Sequence, residues 1–476
     1  MPNLISNNFK STKSSIDKQK YAGTAVVSSV AIIPANSDTA VELIGMPSPL
    51  VGITIYESMF KQTLSGSIIV NEAVALPDIT PLIGAEKIII AWTILGSNIV
   101  VNKGFRIINI RDRIPFQGNE TGQNYMIEFV SDERMMDSYF TISKAYTGPV
   151  HKTIKKIYDE YLDAGKPAEF QETDINITYI PPRLHPFDAI ARISKYAATD
   201  LNAAYFFFEN LAGFHYNSIN TLFEQSPINE SPYIWDIKKY RAAQGATTED
   251  EMMKMNGYKI ENSFSNPLSA LRGGKYASSS YSHDMYSKKI NRGPKTPPFT
   301  YDYLKTFYND KVSHSEKYAV IPIVGMNFGS GSKSSKTAKL NKAKESHFEV
   351  VTTNTHLYGD ENKSVVNHPN STQNSLGLIR NSQRQELENF KISVSVPGHP
   401  SLTVGNVINV SLRSERVSNT YIESEIMSGN YLIVEATHEI MHDSTEYTTK
   451  MTLVKDSSKV SLEGQIASEL EIMGDP

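Results

Sequence analysis

The chain has 476 residues, 40% of them hydrophobic and 21% charged, a formal net charge of −4 and no cysteine. That length exceeds one ordinary core and predicts several domains, while the lack of cysteine excludes disulfides and thiolate metal sites, leaving any zinc to His and carboxylate ligands. No apolar run reaches the roughly 18 residues of a membrane span and no apolar signal core opens the chain, so the expectation is a protein without a membrane anchor, not Sec-exported, assembled in a cytosol.

Residues 1–22 are polar and Lys-rich, with few apolar anchors, and read as a flexible arm. From about residue 25 to 135 the pattern is β. The stretches "SGSIIVNEA", "KIIIAWTIL", "FRIINIRDRI" and "NYMIEFVSD" are rich in Ile, Val and aromatics, with turn residues between them. Short strands at this spacing predict an antiparallel sandwich or barrel.

Residues 142–226 change character. In "PVHKTIKKIYDEYLDAGKP" the apolar residues Val150, Ile154, Ile157, Tyr158, Tyr161 and Leu162 fall at helical spacing, with Gly165 and Pro167 as stops. "HPFDAIARISKYA" repeats the pattern with Phe187, Ile190, Ile193 and Ala197, and "AAYFFFENLAGFHYNSI" reads as a hairpin turning at Asn210–Gly213. Together they predict a small α+β insert.

Beyond it the chain is Tyr-rich, basic and punctuated by proline. Between Ala270 and Ser346 stand 14 Lys and Arg against 5 Asp and Glu, a local +9 that leaves −13 elsewhere. Such asymmetry suggests a partner surface or a solvated loop region. Tyr276, Tyr281, Tyr286, Lys288, Lys289 and Arg292 would be the stacking and phosphate partners of a nucleic-acid contact. The Gly/Ser/Lys stretch 329–344 cannot form a core and predicts a mobile segment. A helix carrying Leu376, Ile379 and Leu387 then leads back into β-structure, where Phe390, Ile392, Val394 and Val396 alternate with Lys391, Ser393 and Ser395.

This second β-region echoes the first. "LIGAEKIIIAW" (82–92) lies beside "LTVGNVINVSL" (402–412). "GFRIINIRDRI" and "NYMIEFVSD" (104–132) lie beside "GNYLIVEATHEI" and "EYTTKMTLVKD" (429–456). One β-module is carried twice.

The string His438-Glu439-Ile440-Met441-His442 is the H-E-x-x-H of zinc peptidases, with Glu463 downstream as a conceivable third ligand. On a helix the two imidazoles are about 6 Å apart along the axis and can share one ion. On a strand the same step spans about 13 Å. Tyr431, Ile433, Val434, Thr437, Thr445, Thr448 and Thr449 around the string are β-formers, and no cap precedes it. A strand is expected, with no zinc. No phosphate loop, nucleophile elbow or dinucleotide fingerprint occurs either: "GSGSKSS" (329–335) lacks the spacing. The expectation is therefore a non-enzyme with no catalytic, cofactor-binding or metal residues.

The order of β-module, helical insert with "HPFDAIARISKYAATDLNAAYFFFENLAGFHYNSI", interrupted second module and "YLIVEATHEIMHDSTEYTTKMTLVKD" resembles the central baseplate hub proteins of contractile-tailed bacteriophages of the T-even type, over most of residues 25–456. The resemblance implies a mainly β chain with two tail-tube-like antiparallel barrel or sandwich modules, 23–141 and 227–290 joined with 371–455. The α+β insert 142–226, an irregular basic insert 291–370 and a C-terminal tail or short helix 456–476 complete it. It also implies a structural virion protein of the tail baseplate: a homotrimer whose six modules form a ring, adapting a hexameric tail tube to a trimeric spike. Implied partners are further copies of the chain, the tail tube or tube-initiator protein, the central spike, and baseplate wedge and tape-measure proteins, with DNA met only in passage through the channel. The hub of a type VI secretion or bacteriocin-like injection machine is the same architecture in another setting.

Overall fold

Alternating apolar and polar residues build most of this molecule, a computed structural model that describes most of residues 23–235, 252–300 and 369–456 together with 325–328, 336–339 and 348–353. The fold is mainly antiparallel β with α+β insertions. The N-terminal arm 1–22 and the tail 457–476 lie outside the described residues.

The first half contributes strands β1 (Ala25–Ile33), β2 (Val41–Glu42), β3 (Leu50–Ser58) and β4 (Ser65–Glu72). The short helix α1 (Leu76–Ile79) precedes β5 (Lys87–Ile94), β6 (Val100–Pro115) and β7 (Gln123–Val130). Buried and exposed residues alternate along β4 and β7, so one face of each meets a core and the other meets solvent. Helix α2 (Asp132–Tyr139) leads into the insert: β8 (Tyr146–Pro149), α3 (Val150–Tyr161), β9 (Ala168–Phe170), β10 (Asn176–Tyr179), α4 (Pro186–Ile193), β11 (Tyr205–Asn210), β12 (Gly213–Ser218) and α5 (Ile219–Phe223). The apolar stripe expected of α3 is its buried face: Val150, Ile154, Ile157 and Tyr158. The hairpin forms as read from the sequence, with Asn210 opposite Gly213.

β13 (Tyr233–Ile234), β14 (Gly257–Asn262) and α6 (Pro267–Arg272) follow. In the basic region, β15 (Ala277–Asp284) pairs with β16 (Lys289–Arg292), β17 (Phe299–Thr300) and, in parallel, β20 (Phe348–Thr353), while β18 (Gly325–Phe328) and β19 (Lys336–Lys339) form a separate hairpin. Residues 336–339 of the stretch expected to be mobile are therefore paired backbone, and its other residues lie outside the described ones. Helix α7 (Pro369–Glu386) then leads to β21 (Phe390–Pro397), β22 (Val407–Ser411), β23 (Gly429–Met441) and β24 (Tyr447–Lys455).

The two halves are joined edge to edge through β3 and β23. Thirteen strands belong to one sheet, whose main path runs β14-β21-β24-β23-β3-β4-β7-β6-β5-β1-β2, with β22 pairing β23 and β13 pairing β22. The halves repeat one order. β3-β4-β7-β6-β5-β1 on one side corresponds to β14-β21-β24-β23-β22-β13 on the other. The correspondence extends to register: β6 has a bulge between Ile107 and Asn109 against β7, and β23 has one between Ile433 and Glu435 against β24. This places Ile107 with Ile433 and Lys103 with Gly429, so the glycines Gly104 and Gly429, which head the two similar stretches, stand one residue apart. One pairing breaks the likeness. β1 runs antiparallel to β5, whereas β13 runs parallel to β22.

Among the described residues three hydrophobic clusters form, and each is shared across the chain, the insert core taking in Ala270, Leu378 and Ile379. The first-half core takes in Leu211 of the hairpin and Ile440 and Tyr447 of the second half. The second-half core takes in Met59, Phe206 and Phe208, while the alternate residues Tyr205 and Phe207 of the same strand face the insert core. β11 is consequently buried on both faces, which is why "YFFFEN" reads as a continuous apolar run rather than an alternation.

Candidate functional site

The place where the structure concentrates buried polar chemistry is the seam between the halves, where β3 and the C-terminal part of β23 pair antiparallel. Glu435 stands opposite Ser58, Thr437 opposite Tyr56, His438 opposite Ile55 and Met441 opposite Gly52. Even-numbered residues of β23 point inward here, and odd-numbered ones face solvent.

The H-E-x-x-H string lies on and just past this strand. His438 is buried in the seam. Its Nδ1 shares a hydrogen bond with the Tyr447 hydroxyl at 2.8 Å, and its Nε2 is 3.6 Å from Glu57. Glu439 points the other way and pairs with Lys450 at 2.7 Å. His442 follows the strand and donates its backbone N–H to Val51 O at 3.0 Å. The strand thus sends His438 inward and Glu439 outward, and His442 stands past its end. Among the described residues, no group of three or more His, Asp or Glu could hold a metal ion. Glu463 lies outside them.

Glu57, inward on β3 and buried, is the fastening point of the seam. Its carboxylate accepts from the backbone N–H of Leu211 at 3.0 Å and of Val404 at 2.9 Å, and from the Thr403 hydroxyl. One side chain of the first half therefore holds the insert's hairpin tip and the turn before β22. The tip is built for this. Asn210 Oδ1 accepts from the N–H groups of Ala212 and Gly213, and its amide nitrogen donates to Val404 O at 2.9 Å. Beside it Gly405, at φ +90°, leaves room for the Phe208 ring, which would lie 2.9 Å from a Cβ there.

A second buried polar group ties the insert to β4 and α2. Glu209 accepts from Leu64 N at 2.9 Å, from the Ser131 hydroxyl at 2.5 Å and from Lys166 Nζ at 2.6 Å. Lys166 also donates to Glu133 at 2.6 Å. Burial, with the Glu209 charge adding to it, pushes the Glu133 carboxyl up to about 7. Burial pulls Lys166 down, but Glu209 and Glu133 outweigh it and leave its pKa raised. These are anchoring interactions: each group is held by backbone or opposite charge.

The outer face of the sheet carries paired charges beside the exposed side chains of Tyr56 and Met441. Lys450 is matched by Glu439, Lys391 by Glu261 at 3.6 Å, Arg111 by Glu128 at 3.0 Å, and Glu435 accepts from Thr452. Lys259, Ser393, Glu435, Thr437, Lys450 and Thr452 line a shallow trough there of about 400 Å³, wide and open rather than a reaction pocket. Of the residues expected to contact nucleic acid, Tyr281 stands opposite Arg292 in the β15–β16 ladder and Lys289 opposite Asp284; Tyr276, Tyr286 and Lys288 lie outside the described residues. Sequence reading missed β3 and β14, and with them Glu57. The alternation in "LVGITIYES" is the signal that could have found the first of these strands.

No protein-family model matches the sequence, and the curated proteins contain no match to it. Among solved structures the chain is similar to a tail protein from Neisseria meningitidis MC58, with 10% identity, 90% of this chain and 96% of that chain covered and a TM-score of 0.45. It is also similar to the 43 kDa tail protein of prophage MuSo2 from Shewanella oneidensis, with 10% identity, 91% and 99% covered and a TM-score of 0.44. A structure of the Francisella PdpA–VgrG complex matches with 9% identity, 90% and 53% covered and a TM-score of 0.43. Among the described residues no helix is long and apolar enough to cross a membrane.

Proposed function

We propose that this chain is the structural hub of a contractile tail baseplate, a homotrimeric adapter that joins a hexameric tail tube to a trimeric central spike and acts without catalysis. The observation that carries this reading is the repeated six-strand order, β3-β4-β7-β6-β5-β1 and β14-β21-β24-β23-β22-β13, joined edge to edge into one sheet. Two like halves per chain give six per trimer, so nearly one contact repeated six times closes a ring. Three unlike domains could not do this. The cross-paired charges of that face suit a wall that solvent and a passing polymer touch without binding. The buried charges fasten the insert to both halves rather than lining a cleft.

The same reading covers the hub of a type VI secretion or bacteriocin-like machine. Neighbouring genes distinguish them, since capsid and terminase genes accompany only a phage. Native mass measurement of the purified chain, alone and with tube and spike proteins, tests the adapter directly. A trimer whose end-on electron-microscopic projections show six similar lobes is expected. A chain that stays monomeric with both partners present would overturn the proposal.

A further inference from the structure

The internal seam uses two of four equivalent edges. β3 of the first half pairs with the C-terminal part of β23, and the strand order makes β14 the counterpart of β3 and β6 the counterpart of β23. Register assigns the counterparts residue by residue. Gly52, Thr54 and Ile55 correspond to Gly257, Lys259 and Ile260, from their pairings with β4 and β21. Val434 corresponds to Ile108, each the extra residue of its bulge, and Glu439 to Ile114, from their pairings with β24 and β7.

Side chains buried at the internal seam have exposed apolar counterparts. Ile55 is 0% exposed and Ile260 is 42%; Val434 is 2% and Ile108 is 46%. The glycines agree. A Cβ on Gly52 would meet Met441 Sδ at 2.9 Å across the seam, whereas one on Gly257 would meet nothing within 4 Å. What Gly52 makes room for is missing beside Gly257. Among the described residues β14 ends the sheet, and beyond Arg106 no strand is paired to the side of β6 opposite β7, so both edges carry unused ladder groups.

We propose that β14 of one copy pairs antiparallel with the outer edge of β6, about residues 108–114, of a second copy of this chain, repeating the β3–β23 seam between molecules. The inference rests on the trimeric ring proposed above and names the edges that close it. Lys259 then lies opposite Ile114 as Thr54 lies opposite Glu439, and Ile260 and Ile108 become covered. Pro115 has no N–H to offer and limits the ladder at its far end. The bulge and charges at Arg111, Asp112 and Arg113 disfavour any unmatched strand, so the edge selects its own counterpart.

Because the chain has no cysteine, a Lys259→Cys/Ile114→Cys variant of the full protein reports this pairing alone. Within one molecule the two sites are separated by seven strand steps, roughly 33 Å along the sheet. Under mild oxidation the double variant should run as covalent dimer and trimer on denaturing gels, each single variant should not form them, and Thr54→Cys/Glu439→Cys should close inside one chain without added mass. An Ile260→Asp variant should weaken trimer formation at least about tenfold while keeping the monomer fold. A native trimer of the Lys259→Cys/Ile114→Cys variant that stays unlinked, while the internal control closes, overturns these edges and leaves the ring reading standing. A monomer at every concentration, unlinked, overturns both.

Discussion

The backbone N–H of Leu211, at the tip of the insert's hairpin, donates to Glu57 Oε1 at 3.0 Å, and through that bond a residue between two strands of the insert is fastened to the seam of the main sheet. The same carboxylate receives Val404 N and the Thr403 hydroxyl, so three segments far apart in sequence meet on one side chain.

Removing that carboxylate should therefore loosen all three at once. Glu57→Ala takes the acceptor from Val404 N–H and the Thr403 hydroxyl, leaves Leu211 N–H only Thr403 Oγ1, and should cost about 2–4 kcal/mol, whereas Glu57→Gln, which keeps one acceptor oxygen, should cost less. Urea unfolding of both variants measures the difference. Equal stability of Glu57→Ala and the parent chain would contradict the anchoring role.

Glu133 makes stability pH-dependent in a particular direction. Its carboxyl is raised from the ordinary 4.5 to about 7 in the fold, so between those values the folded state holds more protons than the unfolded one. Its contribution is then fully present below the unfolded pKa and is lost as pH rises through the folded one. Glu133→Gln removes the ionisation, so the variant should gain relative to the parent chain as pH climbs from about 4.5 to above 7. Thermal unfolding across that range checks it, and a difference independent of pH would contradict the assignment.

Lys166 bridges Glu133 and Glu209, both buried. Lys166→Met strands two carboxylates without their cation and should destabilise by about 3–5 kcal/mol. Combining it with Glu133→Gln should recover part of the loss, because one of the stranded charges is gone. A double-mutant cycle by chemical denaturation is the measurement.

The two histidines of the H-E-x-x-H string should behave differently. His438→Ala removes the buried hydrogen-bond partner of the Tyr447 hydroxyl and should cost about 1–3 kcal/mol, while His442→Ala should change stability by less than about 0.5 kcal/mol. Metal analysis after purification without chelator should give no stoichiometric zinc in either variant or in the parent chain. One equivalent of zinc, lost when either histidine is replaced, would overturn the strand-based reading.

Gly405 holds φ +90° against the Phe208 ring. Gly405→Ala combines a left-handed backbone with a clash and should destabilise by about 1–3 kcal/mol. Because Phe208 lies beside the hairpin tip, amide exchange at Leu211 should quicken more than exchange in α3, and an evenly spread effect would count against the coupling.

Local chemistry wrote several parts of this protein plainly into its sequence. The stripe of α3, the hairpin at Asn210–Gly213, the alternation of β21 and the likeness of 82–132 to 402–456 depend on neighbours a few residues away, and they stand where that periodicity puts them. The strand under His438 was legible for the same reason: β-formers on both sides decide the backbone before any partner is found. The union of the halves was not legible. A period of two says which face of β3 is buried but not which strand lies beside it, so the pairing of Ile55 with His438 and the single sheet that results were decided only when the chain closed on itself. Nor could sequence show that Glu57, Glu133 and Glu209 are interior residues. A carboxylate is normally a surface group, and only donors brought from Leu64, Lys166, Leu211 and Val404 by the tertiary fold offset the cost of burying it.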